Sequence, residues 1–197
     1  LRIAEDHCRH VLFPQSVADL FTNQYSHAWF DFRARRDRYA DYFENSVLAT
    51  RAHRLFCIRL HDRFKYFGAD LWGITASDSA KGYVVWGGPP PLGPLDGTLV
   101  PAAPAGSIAF LPRETMHTLR TMRERFGDRI WKRYGFVDAF NLQTGWIDRD
   151  VIGIDLGISV LMAENARSQF IWHTFMKNPE VRRSMDLAGF KATVMRR

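Results

Sequence analysis

Cysteine is scarce in this 197-residue chain, and the two present, Cys8 and Cys57, have no metal-type spacing with each other. A thiolate metal site is therefore not indicated. The two are compatible with one disulfide in an oxidising compartment or with two buried thiols. His7, Cys8 and His10 crowd together, but no second cluster matches them, and histidines of a helix or loop explain them better. Neither a metal nor a cofactor is expected. No apolar run approaches the ~20 residues of a membrane-spanning helix. No fixed-period repeat is present, and no strand-like alternation of any length. Basic residues give a formal net charge of +6, yet they form no block. Arginines are interleaved with acids, as in Asp31-Phe-Arg-Ala-Arg-Arg-Asp37, so a solvated surface is the reading and nucleic acid is not an expected partner. The chain opens at Leu1 with no visible signal peptide, and a periplasmic or secreted location is favoured if one was removed.

What is abundant is apolar and aromatic. Hydrophobic residues make up 46% and aromatic residues 14%, enough for one domain with a substantial core. Helical spacing dominates. Ser16 can cap a helix to about Arg33, with Val17, Leu20, Phe21, Gln24, Tyr25, Ala28 and Phe32 on one face. Gln24 and Tyr25 put polar groups on that apolar stripe and need partners or a wet cleft. A second helix is expected from Tyr39 to about Phe64, its apolar face interrupted by Glu44-Asn45-Ser46. Pro112 and Glu114 suit a helix start, with Met116, Leu119, Met122 and Phe126 inward and Gly127 as the stop. Asp155 to Met176 reads as one further helix, and Asn178-Pro179-Glu180 opens a last one that ends at Gly189. Between these, residues 68–109 are broken by glycine and proline but carry Trp72, Tyr83 and Trp86. That composition predicts a structured loop at a cleft mouth. The fold class is mainly α, with long irregular loops.

The stretch from Tyr134 to Arg167 carries the chemistry. Asp138, Asp148 and Asp155 lie among Tyr134, Phe136, Phe140 and Trp146. Flat rings stack on the C–H face of a pyranose, and carboxylates accept its hydroxyl protons or move protons in catalysis. The same residues also suit a loop of helix caps and core aromatics.

The blocks in order resemble the glycoamylase-like family of bacterial carbohydrate-active proteins, which includes endo-β-1,2-glucanases and a domain of cyclic β-1,2-glucan synthases. The matching runs are Asn23-Gln-Tyr-Ser-His-Ala-Trp-Phe-Asp-Phe-Arg33, Tyr42-Phe-Glu-Asn-Ser46, Leu71-Trp-Gly-Ile-Thr-Ala-Ser-Asp78, Asp96-Gly-Thr98, Tyr134-Gly-Phe-Val-Asp-Ala-Phe-Asn141 and Gly153-Ile-Asp-Leu-Gly157. Glu164-Asn-Ala-Arg-Ser168, Phe175-Met-Lys-Asn-Pro-Glu180 and Ala188-Gly-Phe190 follow. Asn23, Leu156 and Ala166 depart from the His, Gln and aromatic residues common in the family. The resemblance implies an (α/α) barrel, a six-hairpin toroid with its sugar cleft at one end. Residues 1–197 supply about half the helices such a barrel needs. They read as its C-terminal half, with an upstream helical half contributing part of the cleft and at least one catalytic carboxylate.

On that resemblance the expected activity is hydrolysis of β-linked glucans, most plausibly β-1,2-glucan. The expected partner is an oligo- or polysaccharide. The alternative is a non-catalytic carbohydrate-binding or partner-completed helical domain, with self-association through an open barrel face. Asp138 and Asp155 are the catalytic candidates. Asp155 also suits a helix N-cap, whereas Asp138, fenced by Phe136 and Phe140, is better shielded from water, as a general acid requires. Trp72, Trp86, Tyr134 and Trp146 are the stacking candidates. Gln24, Tyr25, Arg33 and Asn141 are candidates for hydroxyl contacts, and Asp78, Asp96 and Glu164 for further substrate-binding carboxylates.

Overall fold

The computed structural model describes residues 20–87 and 93–193. Ser16, the His7–Cys8–His10 group and the end of the basic tail lie outside the described residues. Among those described, helices carry the fold: α1 (Leu20–Trp29), α2 (Tyr42–Arg59), α3 (Ala102–Ala105), α4 (Pro112–Phe126), α5 (Gly153–Ser168), α6 (Phe170–Phe175) and α7 (Pro179–Leu187). The strands are all two residues long: β1 (Arg35–Arg36), β2 (Thr98–Leu99), β3 (Trp131–Lys132), β4 (Gly135–Phe136), β5 (Phe140–Asn141) and β6 (Lys191–Ala192). They pair antiparallel as β1–β6, β2–β5 and β3–β4.

Local chemistry sets the helix ends. Asp41 caps α2 by accepting from the Glu44 N–H, and Asn178 caps α7 by accepting from the Glu180 N–H, with Pro179 at the first position. Gly127, at φ +51°, ends α4. Two expectations need correction. The first helix stops at Trp29 rather than Arg33, and the chain turns through Ala34 at φ +52° before entering β1. The single helix expected over 155–176 is two, because Gln169 adopts a left-handed conformation at φ +61° between α5 and α6.

The core gathers Leu20, Phe67, Trp72, Leu99, Met122, Phe140, Ile158 and Met162. In α4 the fully inward residues are Thr115, Thr118 and Met122, whereas Met116 is exposed and turned to a cleft. The four-residue α3 sits at the centre and touches both α4 and α5. Its small side chains permit that approach, and Gln24 of α1 locks it by donating through Nε2 to the Ala103 carbonyl and to Ser107 Oγ, both at 2.8 Å. A Cβ on Gly106 would lie 2.2 Å from the Gln24 amide oxygen, so only glycine fits there. The end of α1 is closed from α5 and α6. Asn165 Nδ2 donates to the Ala28 carbonyl at 2.8 Å, and the Trp172 indole N–H donates to the His27 carbonyl. The long loop is anchored on α2 by His53, whose Nε2 takes the Ile74 N–H at 3.1 Å. No helix among the described residues is long and apolar enough to cross a membrane.

Candidate functional site

An open cleft of about 970 Å³ lies between α3, α4, the β3–β4 hairpin and the first turns of α5. Three of the sequence candidates line it: Tyr134, Asp138 and Asp155. Tyr134 stands on the hairpin with 61% of its surface exposed. Asp138 and Asp155 are both buried. Asp155 is the third residue of α5 and not its cap, a position held by Ile152 with no side-chain bond. A carboxylate in that first turn meets the positive end of the helix dipole.

Asp138 lies two residues past the end of β4, so the hairpin delivers it to the cleft wall. Its Oδ2 accepts the Asp78 backbone N–H at 2.8 Å, tying the hairpin to the long loop. Its Oδ1 is buried without a protein donor. Asp148 is also buried and also lines the cleft. One Asp148 oxygen accepts the N–H groups of Arg149 and Asp150, at 2.7 and 3.2 Å, while the other is buried without a donor. Burial raises the Asp148 carboxyl above its ordinary pKa, against the pull of those two N–H groups, and the negative charges of Asp78 and Asp150 add to the rise. Asp78, Asp138 and Asp148 each offer an oxygen within 4.8 Å of the other two.

Asp96, Asn141 and Trp146 meet around a second hollow of about 460 Å³. There Asp96 accepts from the Thr98 N–H and hydroxyl at 2.9 and 2.7 Å, and Asn141 donates to the Asp96 carbonyl at 3.1 Å. Asp78 stands beside this region through the long loop and is half-buried.

The remaining candidates stand elsewhere. Trp72 is wholly buried in the core and presents no face to a sugar, contrary to its expected stacking role. Trp86 is buried as well, its indole N–H donating to Ser77 Oγ at 2.8 Å. Gln24 spends its amide on α3, as described. Arg33 is held by Asp31 at 2.8 Å and lies over the Trp172 ring at 4.2 Å. Glu164 pairs with Arg167 on the flank of α5 at 2.9 Å. Tyr25 donates its hydroxyl to the Ile154 carbonyl at 3.1 Å, one residue before Asp155.

Sequence reasoning did not select Trp131 or rank Asp148. Trp131 lines the cleft, 41% exposed, with its ring edge-on to Phe136 at 4.7 Å and Arg123 5.5 Å from its centroid. The available signal for Asp148 was its place in Gly145-Trp-Ile-Asp148, among the aromatics. For Trp131, next to Lys132 and Arg133, no local signal distinguished it from surface. The cleft thus joins buried carboxylates to exposed rings, the pairing a carbohydrate site requires.

The sequence model of the family named Glycoamylase, described as "Putative glucoamylase", matches residues 4–179. This chain belongs to the glycoamylase family. An exo-β-1,2-glucooligosaccharide sophorohydrolase (non-reducing end) from Parabacteroides distasonis is 32% identical over 167 residues, covering 84% of this chain and 23% of the relative. A crystal structure of a "putative glucoamylase" from Bacteroides uniformis superposes with a TM-score of 0.84 at 36% identity, covering 91% of this chain and 43% of that one. An endo-β-1,2-glucanase from Chitinophaga pinensis, solved with sophorotriose and glucose, gives a TM-score of 0.81 at 32% identity, covering 89% and 41%. This glycoamylase-family chain therefore spans less than half the length of those relatives. Its fold is mainly α, as expected, with the helices of part of an α/α barrel.

Proposed function

We propose that this glycoamylase-family chain is part of a glycoside hydrolase acting on β-1,2-linked glucan, with Asp138 and Asp155 among the carboxyl groups at the scissile bond. The carrying observation is that both buried acids line one cleft beside the exposed rings of Trp131 and Tyr134. The glucan linkage is drawn from the relatives, which are named for β-1,2-glucan or its oligosaccharides. Hydrolysis needs two carboxyl groups across the glycosidic bond. One protonates the leaving oxygen, and the other takes a proton from the attacking water or attacks the anomeric carbon itself. Trp131 and Tyr134 would stack on the sugar rings. Asp96, Asn141 and Trp146 would extend contacts along the glucan chain at the second hollow.

A second reading, in which another helical half completes this face, is favoured by a specific feature of the cleft edge. Val151, Ile154 and Val160 are apolar and each more than half exposed. The two readings are compatible, and the short span against the relatives agrees with both.

The test is to incubate the folded protein, alone and in its full-length context, with linear β-1,2-, β-1,3- and α-1,4-glucans. Oligosaccharides from the β-1,2-linked polymer only are expected. Absence of product from it in both contexts overturns the reading. Asp138→Asn keeps an acceptor for the Asp78 N–H, so it should fold. Its turnover should fall by about 10²–10⁴-fold.

A further inference from the structure

We infer that Asp78, Asp138 and Asp148 form a binding site for a hard divalent cation, calcium or magnesium. Each contributes a carboxylate oxygen to a group whose members all lie within 4.8 Å of one another. Two oxygens bound to one calcium at 2.3–2.6 Å sit at most about 5 Å apart, and those on magnesium at most about 4.2 Å. Each pair in the cluster is therefore within calcium's reach.

Two independent features point to a ligand between these side chains. Asp138 and Asp148 are only 5% and 7% exposed, and each keeps one buried oxygen without a protein donor. An unsatisfied buried carboxylate oxygen is costly, and native structures normally supply it a proton donor, a water or an ion. No compensating cation comes from the protein, because among the described residues none of the ion pairs involves any of the three. That holds although the chain carries a formal net charge of +6 and Arg120, Arg123 and Arg149 line the same cleft. The basic side chains surround the cleft and leave the carboxylates to one another. An all-oxygen donor set without His or Cys selects a hard cation over zinc or copper.

The site needs the fold. Asp78 comes from the long loop and Asp138 from the end of the β3–β4 hairpin, 60 residues on, and the Asp78 N–H bond to Asp138 fixes the two together. An ion held there lies in the cleft wall, since Asp138 and Asp148 line it. Its remaining coordination positions would be open to water or to neighbouring sugar hydroxyls. The inference deepens the glucan reading, on which the ion's place beside a sugar rests, but ion binding itself does not depend on any glucan.

The experiment is a titration of the chelator-treated protein with Tb³⁺, read by luminescence sensitised through the nearby indoles, followed by competition with Ca²⁺ and Mg²⁺. One saturable site is expected, displaced by Ca²⁺ or Mg²⁺. Asp78 is half-buried and its side chain makes no hydrogen bond that the fold uses, so Asp78→Asn should fold normally and weaken binding at least tenfold. Asp148→Asn should do the same, and the surface variant Asp62→Asn should not. No saturable site, or binding equal in Asp78→Asn and wild type, overturns the assignment. Ion binding without glucan cleavage would sink the glucan reading alone. Cleavage without ion binding would sink this inference alone.

Discussion

His27 gives the sharpest prediction about stability. It sits in α1, 5% exposed, with its ring packed on Phe32, Phe43 and Phe110 at centroid distances of 4.8, 6.1 and 5.1 Å. Desolvation lowers its pKa from 6.5 to about 4, and the Tyr42 and Asn23 carbonyls and the Asp31 charge only partly oppose this. In the unfolded chain the imidazole takes up a proton below about pH 6.5, while in the folded chain it stays neutral until about pH 4. The unfolded state therefore binds more protons across that window, and stability rises with pH. The His27 contribution is fully present above pH 6.5 and is lost progressively as pH falls to about 4. At about 1.36 kcal/mol per pH unit, the total is on the order of 3 kcal/mol. Asp31, Asp37 and Glu164 are held below their ordinary values, so their stabilisation is lost only as pH falls further. Asp148, raised by burial, acts with the opposite sign. A difference experiment isolates His27 from all four. Urea midpoints would be measured at half-unit steps from pH 7 to 4 for wild type and His27→Leu, with m-values checked for constancy. His27→Leu should be less steep over this range by about 3 kcal/mol, whatever its absolute stability. Parallel curves for the two proteins would refute the claim that burial keeps this imidazole neutral.

Two further substitutions separate core from cleft. Trp72→Ala should cost about 3–5 kcal/mol in urea unfolding, since the whole indole is buried, and should leave the glucan KM of the folded fraction unchanged. An unchanged urea midpoint with a raised KM would put the Trp72 ring at the sugar after all. Trp131→Ala should do the reverse. If a sugar face packs on this exposed ring as a second ring would, about 0.5–1.5 kcal/mol is lost from binding, a rise in KM of roughly 2- to 13-fold. An unchanged KM would remove Trp131 from the site.

The elements that were legible are those whose signals are local. Asn178-Pro179-Glu180 and Pro112 with Gly127 mark helix ends through groups within four residues of the bond they make, and the structure uses them so. The Gln169 break had no such mark. A left-handed glutamine carries no residue signature, and only the packing of α5 and α6 against α1 calls for it. The same limit governs the tryptophans. Within a helix, spacing tells inside from outside, but in the long loop no period exists. Trp72 and Trp86 therefore looked available to a sugar while Trp131 gave no signal, yet the first two are buried and the last is not.

Gln24 shows what sequence can supply and where it stops. A glutamine on an apolar stripe announces that a partner exists, because a buried amide left unsatisfied is expensive. Its partners lie 79 and 83 residues away in and beside α3, a segment with too little regular pattern to be placed in advance. The acid cluster obeys the same logic with the stakes raised. Asp78, Asp138 and Asp148 each admit an ordinary explanation when read alone, as a turn residue, a shielded acid or a loop cap. The bond from the Asp78 N–H to the Asp138 carboxylate joins the long loop to the hairpin, and with them three acidic groups that no arginine or lysine pairs among the described residues. A fold that brings like charges this close, and leaves two of their oxygens without a protein donor, calls for positive charge at that point from outside the chain. Titration with Tb³⁺ tests for that charge directly: one saturable site that Asp78→Asn weakens is expected, and its absence refutes the assignment.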